Sequence, residues 1–407
     1  MILILIFLFC FEIIFKKGTI KPGLGFRGTG HVPEMQRCVL IALALVAAAC
    51  VFVVQKSARE RKPVTVFLLV DGLRRDFVDL GECSSLRAMF ENAQTYVPVY
   101  PTRSAPNYWS LATGKLPREH GIVGNEFFDS ELNATYTWRA TKGPWYDAAD
   151  PLWTLTRKKT AVLRWYGTEA RSPLHGIGTE HDDAPTSERV ADVLQHIKEG
   201  AEFVMSTVSI EIDDAGHKFG PDSPETRARI ASTCSAVASL VHVVRRDHPG
   251  SAIFITGDHG IANITSNAPL PELPAGTRVF GHPVSTVWAA PGRETETEIA
   301  LKNTSARFAD FYDVVRPANA TFLGKYAATR GGTFVVEPRT SQSAPRTSLP
   351  GGDHGCNPEL ASCSDMEAAY LGPPIFGLGK KQEQEQELKL KLKLNPSDIF
   401  QAVLSEL

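Results

Sequence analysis

Residues 64–72 read VTVFLLVDG, seven apolar or β-branched residues in a row closed by Asp71-Gly72. A run with no polar alternation is the pattern of a strand buried on both faces, as in parallel sheets. Two similar runs follow. Phe203–Ile210 (FVMSTVSI) ends near Asp213, and Ala252–Ile255 (AIFI) ends at Gly257-Asp258. No proline interrupts any of the three, which supports strands over loops. Helical patterns at Ser187–Gly200 and Ser223–Asp247 lie between them. Strands alternating with helices predict an α/β fold, doubly wound, with a mostly parallel central sheet flanked by helices. In open sheets of this kind the ligand site lies beyond the carboxyl ends of the strands. Each run ends toward an acidic residue, so Asp71, Asp213 and Asp258 are expected to converge there.

Outside these elements, 267–277 and 338–353 are rich in Pro, Gly and Ser and read as surface loops. Residues 379–394 are of low complexity, with Gln/Glu alternation followed by Leu/Lys alternation. Strict alternation suggests an edge strand or an amphipathic segment. Residues 395–407 read as a terminal helix with Pro396 in its first turn, capped by Asn395 or Ser397.

The composition, 43% hydrophobic and 22% charged over 407 residues, excludes disordered and collagen-like classes. Charge is unevenly placed: residues 1–62 carry net +6 and residues 63–407 carry net −8. A domain at −8 lacks the basic face of a nucleic-acid binder. If it handles anionic substrates, something other than Lys and Arg must supply positive charge, and metal ions fit that need. Met1–Phe15 and Cys38–Val54 are apolar runs flanked by basic residues. Each is short for a span and suits a signal-peptide core, and Ala47-Ala48-Ala49 would suit a signal peptidase. Lys56, Arg59, Arg61 and Lys62 oppose a simple anchor with its C-terminal side outside, and Met35 is an alternative start. The domain reading is therefore a targeting or membrane segment and linker over 1–62, a catalytic domain over 63–378, and a low-complexity segment with a C-terminal helix over 379–407. Sequons at Asn133, Asn263, Asn303 and Asn319 fit a membrane-anchored or secreted glycoprotein whose catalytic domain faces an extracellular or lumenal space. Cys83, Cys234, Cys356 and Cys363 permit two disulfides, or four free buried thiols.

The residues that carry chemistry have local punctuation. Asp71 sits in Val-Asp-Gly; Asp213 and His217 in Asp213-Asp-Ala-Gly-His217; Asp258 and His259 in Gly257-Asp-His-Gly260; His354 in Gly352-Asp-His-Gly355. Carboxylates and imidazoles without a thiolate cluster suit Zn²⁺ or another divalent transition metal. Glycines beside them let the backbone turn tightly around an ion. One Asp-His pair is ordinarily a hydrogen-bonding pair. Two Gly-Asp-His-Gly segments and a third motif in one chain point to a dinuclear site, the clamp used for in-line displacement at phosphorus.

The stretch Tyr100–Asn125, YPTRSAPNYWSLATGKLPREHGIVGN, resembles the nucleotide pyrophosphatase/phosphodiesterase (type I phosphodiesterase) family of the alkaline phosphatase superfamily. Pro151-Leu-Trp153 and Trp165-Tyr-Gly167 match further landmarks, and the resemblance runs over about Val64–Phe376. It implies an alkaline-phosphatase-like fold and two Zn²⁺ ions or similar divalent metals. One would be held by Asp213, His217 and His354, the other by Asp71, Asp258, His259 and the nucleophile. The nucleophile position falls on Ser104, where most members have Thr, and Asn125 falls where the family hydrogen-bonds a phosphate oxygen. Asp214 and Asp353 do not fall on ligand positions. The implied activity is hydrolysis of phosphodiester and pyrophosphate bonds in nucleotides through a phospho-serine intermediate. The alternatives are a lipid (choline-type) phosphodiesterase or a non-catalytic ectodomain. The expected partners are a nucleotide or other phosphodiester small molecule, and a membrane through the N-terminal apolar segment.

Two features depart from the family pattern. Ala105 stands where nucleotide-cleaving members carry a base-stacking aromatic, and Gly176–Ala184 offers no second one. Trp109, Trp138, Trp145 and Tyr146 are the candidates to replace it or to serve as core.

Overall fold

The VTVFLLV run forms strand β1 (Thr65–Val70), and all six of its residues are buried. In the computed structural model, which describes residues 62–139, 143–344, 351–375 and 393–407, it lies inside an eight-stranded sheet. In chain order the other strands are β2 (Ala93–Tyr96), β3 (Thr160–Leu163), β4 (Gly176–Thr179), β5 (Phe203–Ser209), β6 (Ala252–Thr256), β7 (Ala368–Leu371) and β8 (Lys393–Leu394). Their spatial order is β8-β2-β7-β6-β1-β5-β3-β4. The pairings of β1 with β5 and β6, of β3 with β4 and β5, and of β8 with β2 are parallel. Only β7 runs antiparallel to its neighbours. This is the mostly parallel, doubly wound α/β arrangement expected.

The lack of polar alternation has a direct cause. Successive side chains point to opposite faces of the sheet, and both faces are covered. Phe67 and Leu69 join one core cluster with Phe203, Met205 and Phe254. Val66, Leu68 and Val70 join another with Val204, Val208, Ile253 and Ile255. The second face is closed by α2 (Thr186–Lys198) and α4 (Pro224–Asp247), which contribute Val193, Ile197, Val237 and Val241. Ser223 caps α4 by accepting from the Thr226 N–H, and Pro224 fills its first turn. The first face is closed by α1 (Ser104–Thr113) and the C-terminal helix α5 (Pro396–Leu404). Asn395 caps α5, and Ile399, Phe400 and Val403 enter the same cluster as Phe67. Burying these three side chains is worth about 1.5–3 kcal/mol each.

A separate four-stranded antiparallel sheet is built from Arg278–Phe280, Ser285–Trp288, Phe334–Pro338 and Tyr312–Val315. It has its own small core around Val287, Leu301 and Phe334.

Two expectations need adjustment, and one open alternative is resolved. The β5 strand ends at Ser209, so Asp213 lies one element further on, in the first turn of α3 (Glu211–Phe219). The Pro/Gly/Ser-rich stretches are not wholly irregular. Ser266–Asn267 pairs with Ser343–Ala344, and Gly352–Asp353 with Ala262–Asn263. The cysteines are paired, Cys83 with Cys234 and Cys356 with Cys363. Of the alternating segment, Lys393–Leu394 is an edge strand; residues 379–392 lie outside the described residues, as do Met1–Phe15 and Cys38–Val54. Among the described residues, no helix is long and apolar enough to cross a membrane. All four sequon asparagines are exposed.

Candidate metal centre

The carboxyl ends of the central strands carry the site. Asp71 follows β1 directly, and Asp258 and His259 follow β6 after Gly257. Gly72 turns the chain away with φ +71, and a Cβ there would stand 3.0 Å from the Asp213 backbone. That position combines a left-handed φ with close approach, and glycine alone meets both. Asp213 and His217 are one turn apart on α3. This nine-residue helix has Glu211, Asp213 and Asp214 in its first turn and His217 and Lys218 in its last, the order its dipole favours. His354 arrives on the Gly352–Asp353 bridge, whose partner Ala262–Asn263 follows the Gly257-Asp-His-Gly260 turn.

These residues meet in one place. Asp213 Oδ2 is 3.3 Å from His217 Nε2, and Oδ1 is 3.6 Å from His354 Nε2. His259 Nε2 lies 3.1 Å from Asp258 Oδ2 and 3.6 Å from Asp71 Oδ1. The His259 and His354 rings stack at 3.5 Å between centroids, which joins the two halves. Ser104 is the first residue of α1, and its Oγ is 3.2 Å from His259 Nε2. Two groups bring ligand atoms close enough together to hold an ion: Asp213 with His217 and His354, and Asp71 with Asp213 and His259. The first matches the expected triad. The second differs in containing Asp213, while Asp258 stands beside it, fixed through Oδ1 by the Gly72 N–H.

The donor set fits divalent cations on its own chemistry. Each imidazole donates through Nδ1 to a backbone carbonyl: His217 to Gly352, His259 to Gly260, His354 to Thr102. A carbonyl can only accept, so in the neutral ring Nε2 is the acceptor nitrogen, the form that ligates a metal. Asp71 Oδ1, Asp213 Oδ1 and Asp258 Oδ2 are buried without a hydrogen-bond partner. Burial, then the Asp213 charge, pushes the Asp258 carboxyl up to about 8. Burial and Asp258 raise Asp71 well above the carboxylate range. Burial holds His259 down to about 4. Crowded carboxylates beside imidazole Nε2 atoms are what a cation relieves.

Several contributors escaped the sequence reading. Tyr108, buried in α1, donates 3.0 Å to Asp71 Oδ2. Thr102 accepts from His354 Nδ1 through its carbonyl, while its hydroxyl accepts from Gly355 N–H and donates to Cys356 O. Asp353, not a ligand position, is a hub: it accepts from Arg103, from the His354 N–H and from His282 at 2.6 Å. Its burial works to raise it, but His282 and Arg103 hold it below the usual carboxylate range. No local motif marks these residues, because their partners are distant in sequence. Asn125 Oδ1 accepts from the Ala105 N–H at 2.8 Å, which places Asn125 beside Ser104. Of the four stacking candidates, Trp109, Trp145 and Tyr146 are core. Only Trp138 is partly open.

A model of the type I phosphodiesterase/nucleotide pyrophosphatase family matches residues 65–318. The chain belongs to this family. Among curated relatives, ectonucleotide pyrophosphatase/phosphodiesterase 2 of Saccharomyces cerevisiae is 26% identical over 242 residues, covering 51% of this chain and 49% of that protein. Family member 7 of Mus musculus is 27% identical over 259 residues, covering 56% of each. The chain thus spans about half the length of these relatives. A solved structure of murine ectonucleotide pyrophosphatase/phosphodiesterase 5, an inactive variant in complex with AMP, superposes with a TM-score of 0.69 at 19% identity. The match covers 84% of this chain and 95% of that one, and shows the same fold.

Proposed function

We propose that this chain is a metal-dependent hydrolase of phosphodiester and pyrophosphate bonds, with nucleotides as its substrate class and Ser104 as its nucleophile. The observation that carries this reading is the placement of Ser104 Oγ, 3.2 Å from His259 Nε2 and at the edge of three carboxylates and three imidazoles with pinned Nδ1 atoms. Asp213, His217 and His354 would hold one Zn²⁺ or similar ion, and Asp71, Asp258 and His259 with Ser104 a second. When bound, such ions supply the positive charge that acidifies a hydroxyl and neutralises phosphate oxygens. Ser104 Oγ gives up its proton to solvent and bonds to phosphorus as the bond to the opposite alcohol or phosphate leaving group breaks, the leaving oxygen keeping the bonding pair and an alcohol taking up a proton from solvent. Water then attacks the phospho-serine diester, frees the phosphomonoester and returns the serine hydroxyl. Asn125 Oδ1 is held by Ala105, and its amide nitrogen makes no hydrogen bond among the described residues. That nitrogen is free to donate to a non-bridging oxygen, where charge grows in the transition state.

Two disulfides and four exposed sequons support an oxidising, glycosylating compartment. The apolar N-terminal runs, as anchor or cleaved signal, would deliver the chain there.

The test is hydrolysis of p-nitrophenyl thymidine monophosphate by the purified chain with chelator and with added zinc. The reading expects chelator-sensitive, zinc-restored turnover that is absent in Ser104→Ala. A chain that binds zinc and cleaves no ester sinks it.

A further inference from the structure

One carboxylate ties the Ser104 segment to the His354 turn. Asp353 Oδ1 accepts from Arg103 Nη1 at 3.1 Å and from the His354 N–H at 2.9 Å. The same Arg103 Nη1 donates to the His354 carbonyl at 3.0 Å. Both backbone polar groups of His354 are therefore engaged by the Arg103–Asp353 pair. Arg103 is the N-cap residue of α1, next to Ser104. Asp353 Oδ1 also lies 3.9 Å from His217 Nδ1, so both imidazoles of the Asp213 group border this carboxylate.

A carboxyl group turns easily about its terminal torsion, so one held oxygen does not fix its plane. The second oxygen supplies the constraint. Asp353 Oδ2 accepts from His282 Nε2 at 2.6 Å, and since a carboxylate only accepts, that nitrogen carries the proton. His282 comes from outside the central sheet. It lies in the turn between Arg278–Phe280 and Ser285–Trp288, a hairpin of the antiparallel sheet. Its neighbour Pro283 packs on the His354 turn: a Cβ on Gly355 would stand 2.5 Å from Pro283 Cδ and 3.3 Å from Arg103 Cδ. The Asp353 side chain is 3% exposed and that of His282 is 36% exposed. The ring thus caps a buried carboxylate from a half-open position, where truncation removes a donor without emptying a core.

We infer that His282 is a positioning residue for the hydrolysis, acting through Asp353 and Arg103 to hold Ser104 in register with His217 and His354. The antiparallel sheet thereby lends the metal centre one side chain that none of the Asp-Gly or Gly-Asp-His-Gly motifs contains. This rests on the hydrolase reading and deepens it. Partners that orient a metal site from behind its ligands typically matter by about 10- to 100-fold in metal affinity or activity.

The experiment compares wild type, His282→Ala and His282→Gln in the full chain. Glutamine can place an amide donor where Nε2 stands. The readouts are kcat and KM on p-nitrophenyl thymidine monophosphate with zinc added, and zinc affinity by competition with a chromophoric chelator. His282→Ala is expected to lose roughly 10- to 100-fold in kcat and a similar factor in zinc affinity, with KM within about twofold of wild type. His282→Gln is expected to recover most of both losses. Wild-type kcat and zinc affinity in His282→Ala overturn the inference and leave the hydrolase reading intact. So does an equal loss in the two variants, which marks ring packing rather than the donated hydrogen bond. A wild-type chain that binds zinc and cleaves nothing sinks the hydrolase reading alone, and the zinc competition still decides whether His282 orders the site.

Discussion

The Nε2 atoms of His217 and His354 lie 3.0 Å apart, although each ring already donates through Nδ1 to a backbone carbonyl. Were both rings neutral, their Nε2 lone pairs would face one another, and a shared proton or a cation relieves that. Asp213 lies within 3.6 Å of both. Chelation is therefore expected to lower the thermal midpoint, and zinc to restore it. A ligand at 1,000 times its dissociation constant stabilises by about 4 kcal/mol, a shift of several degrees. The check is calorimetry with and without chelator, with elemental analysis expected to find two metals per chain. An unchanged midpoint would count against the ligand assignment.

Removing the Tyr108 hydroxyl strips Asp71 Oδ2 of its partner. Tyr108→Phe is expected to fold, since the ring and its tilted contact with Tyr166, 4.4 Å between centroids, remain, and to lose about 1–3 kcal/mol of transition-state stabilisation. In kcat/KM that is roughly 5- to 150-fold. A wild-type value would show that Asp71 is positioned without it.

His120 offers a pH test away from the metal ligands. It is fully buried; Nδ1 accepts from the Ile122 N–H, and Nε2 is 2.9 Å from Ser110 Oγ. Burial holds its pKa down to about 3. The unfolded chain, with a pKa of about 6.5, binds the proton first as pH falls. Between pH about 6.5 and about 3 the unfolded state carries more protons, so stability falls with pH by up to about 1.4 kcal/mol per unit. Denaturant midpoints of wild type and His120→Gln across that window should converge as pH falls, because only wild type carries this slope. Parallel curves would rule it out.

The Cys83–Cys234 bridge closes a loop of 151 residues inside the core cluster beneath the sheet. Loop-closure entropy for that length gives about 5 kcal/mol as an upper figure. Replacing both cysteines by alanine should lower the urea midpoint markedly while leaving metal content unchanged, since neither cysteine borders the site. Loss of metal with retained stability would contradict this division.

Legibility in the sequence followed range. VTVFLLV and AIFI announced their strands because a strand covered on both faces has no reason to alternate, and the structure covers both. The ligand candidates were legible because glycines flank them within four residues. Asp213 was placed one element early because α3 is short and contains Gly216, so DDAGH reads as a turn. Tyr108 looked like core, which it also is. The Asp353 hub, built by Arg103 and His282, depends on partners 250 and 71 positions away. Trp138, Tyr166 and His181 bring three rings within 6 Å of one another from separate parts of the chain, and no local spacing encodes that meeting.

The stitch between Thr102 and the His354 turn also sets an order of events in time. The family match ends at residue 318, and His354 lies beyond it. A ribosome that has released residues 65–318 has supplied Ser104 and every ligand candidate but one. The last imidazole, and the Gly355 and Cys356 backbone that docks on the Thr102 hydroxyl, come later. The candidate site is thus completed by a contact that spans 252 positions of chain, while Ser104 and His259 already stand together without it.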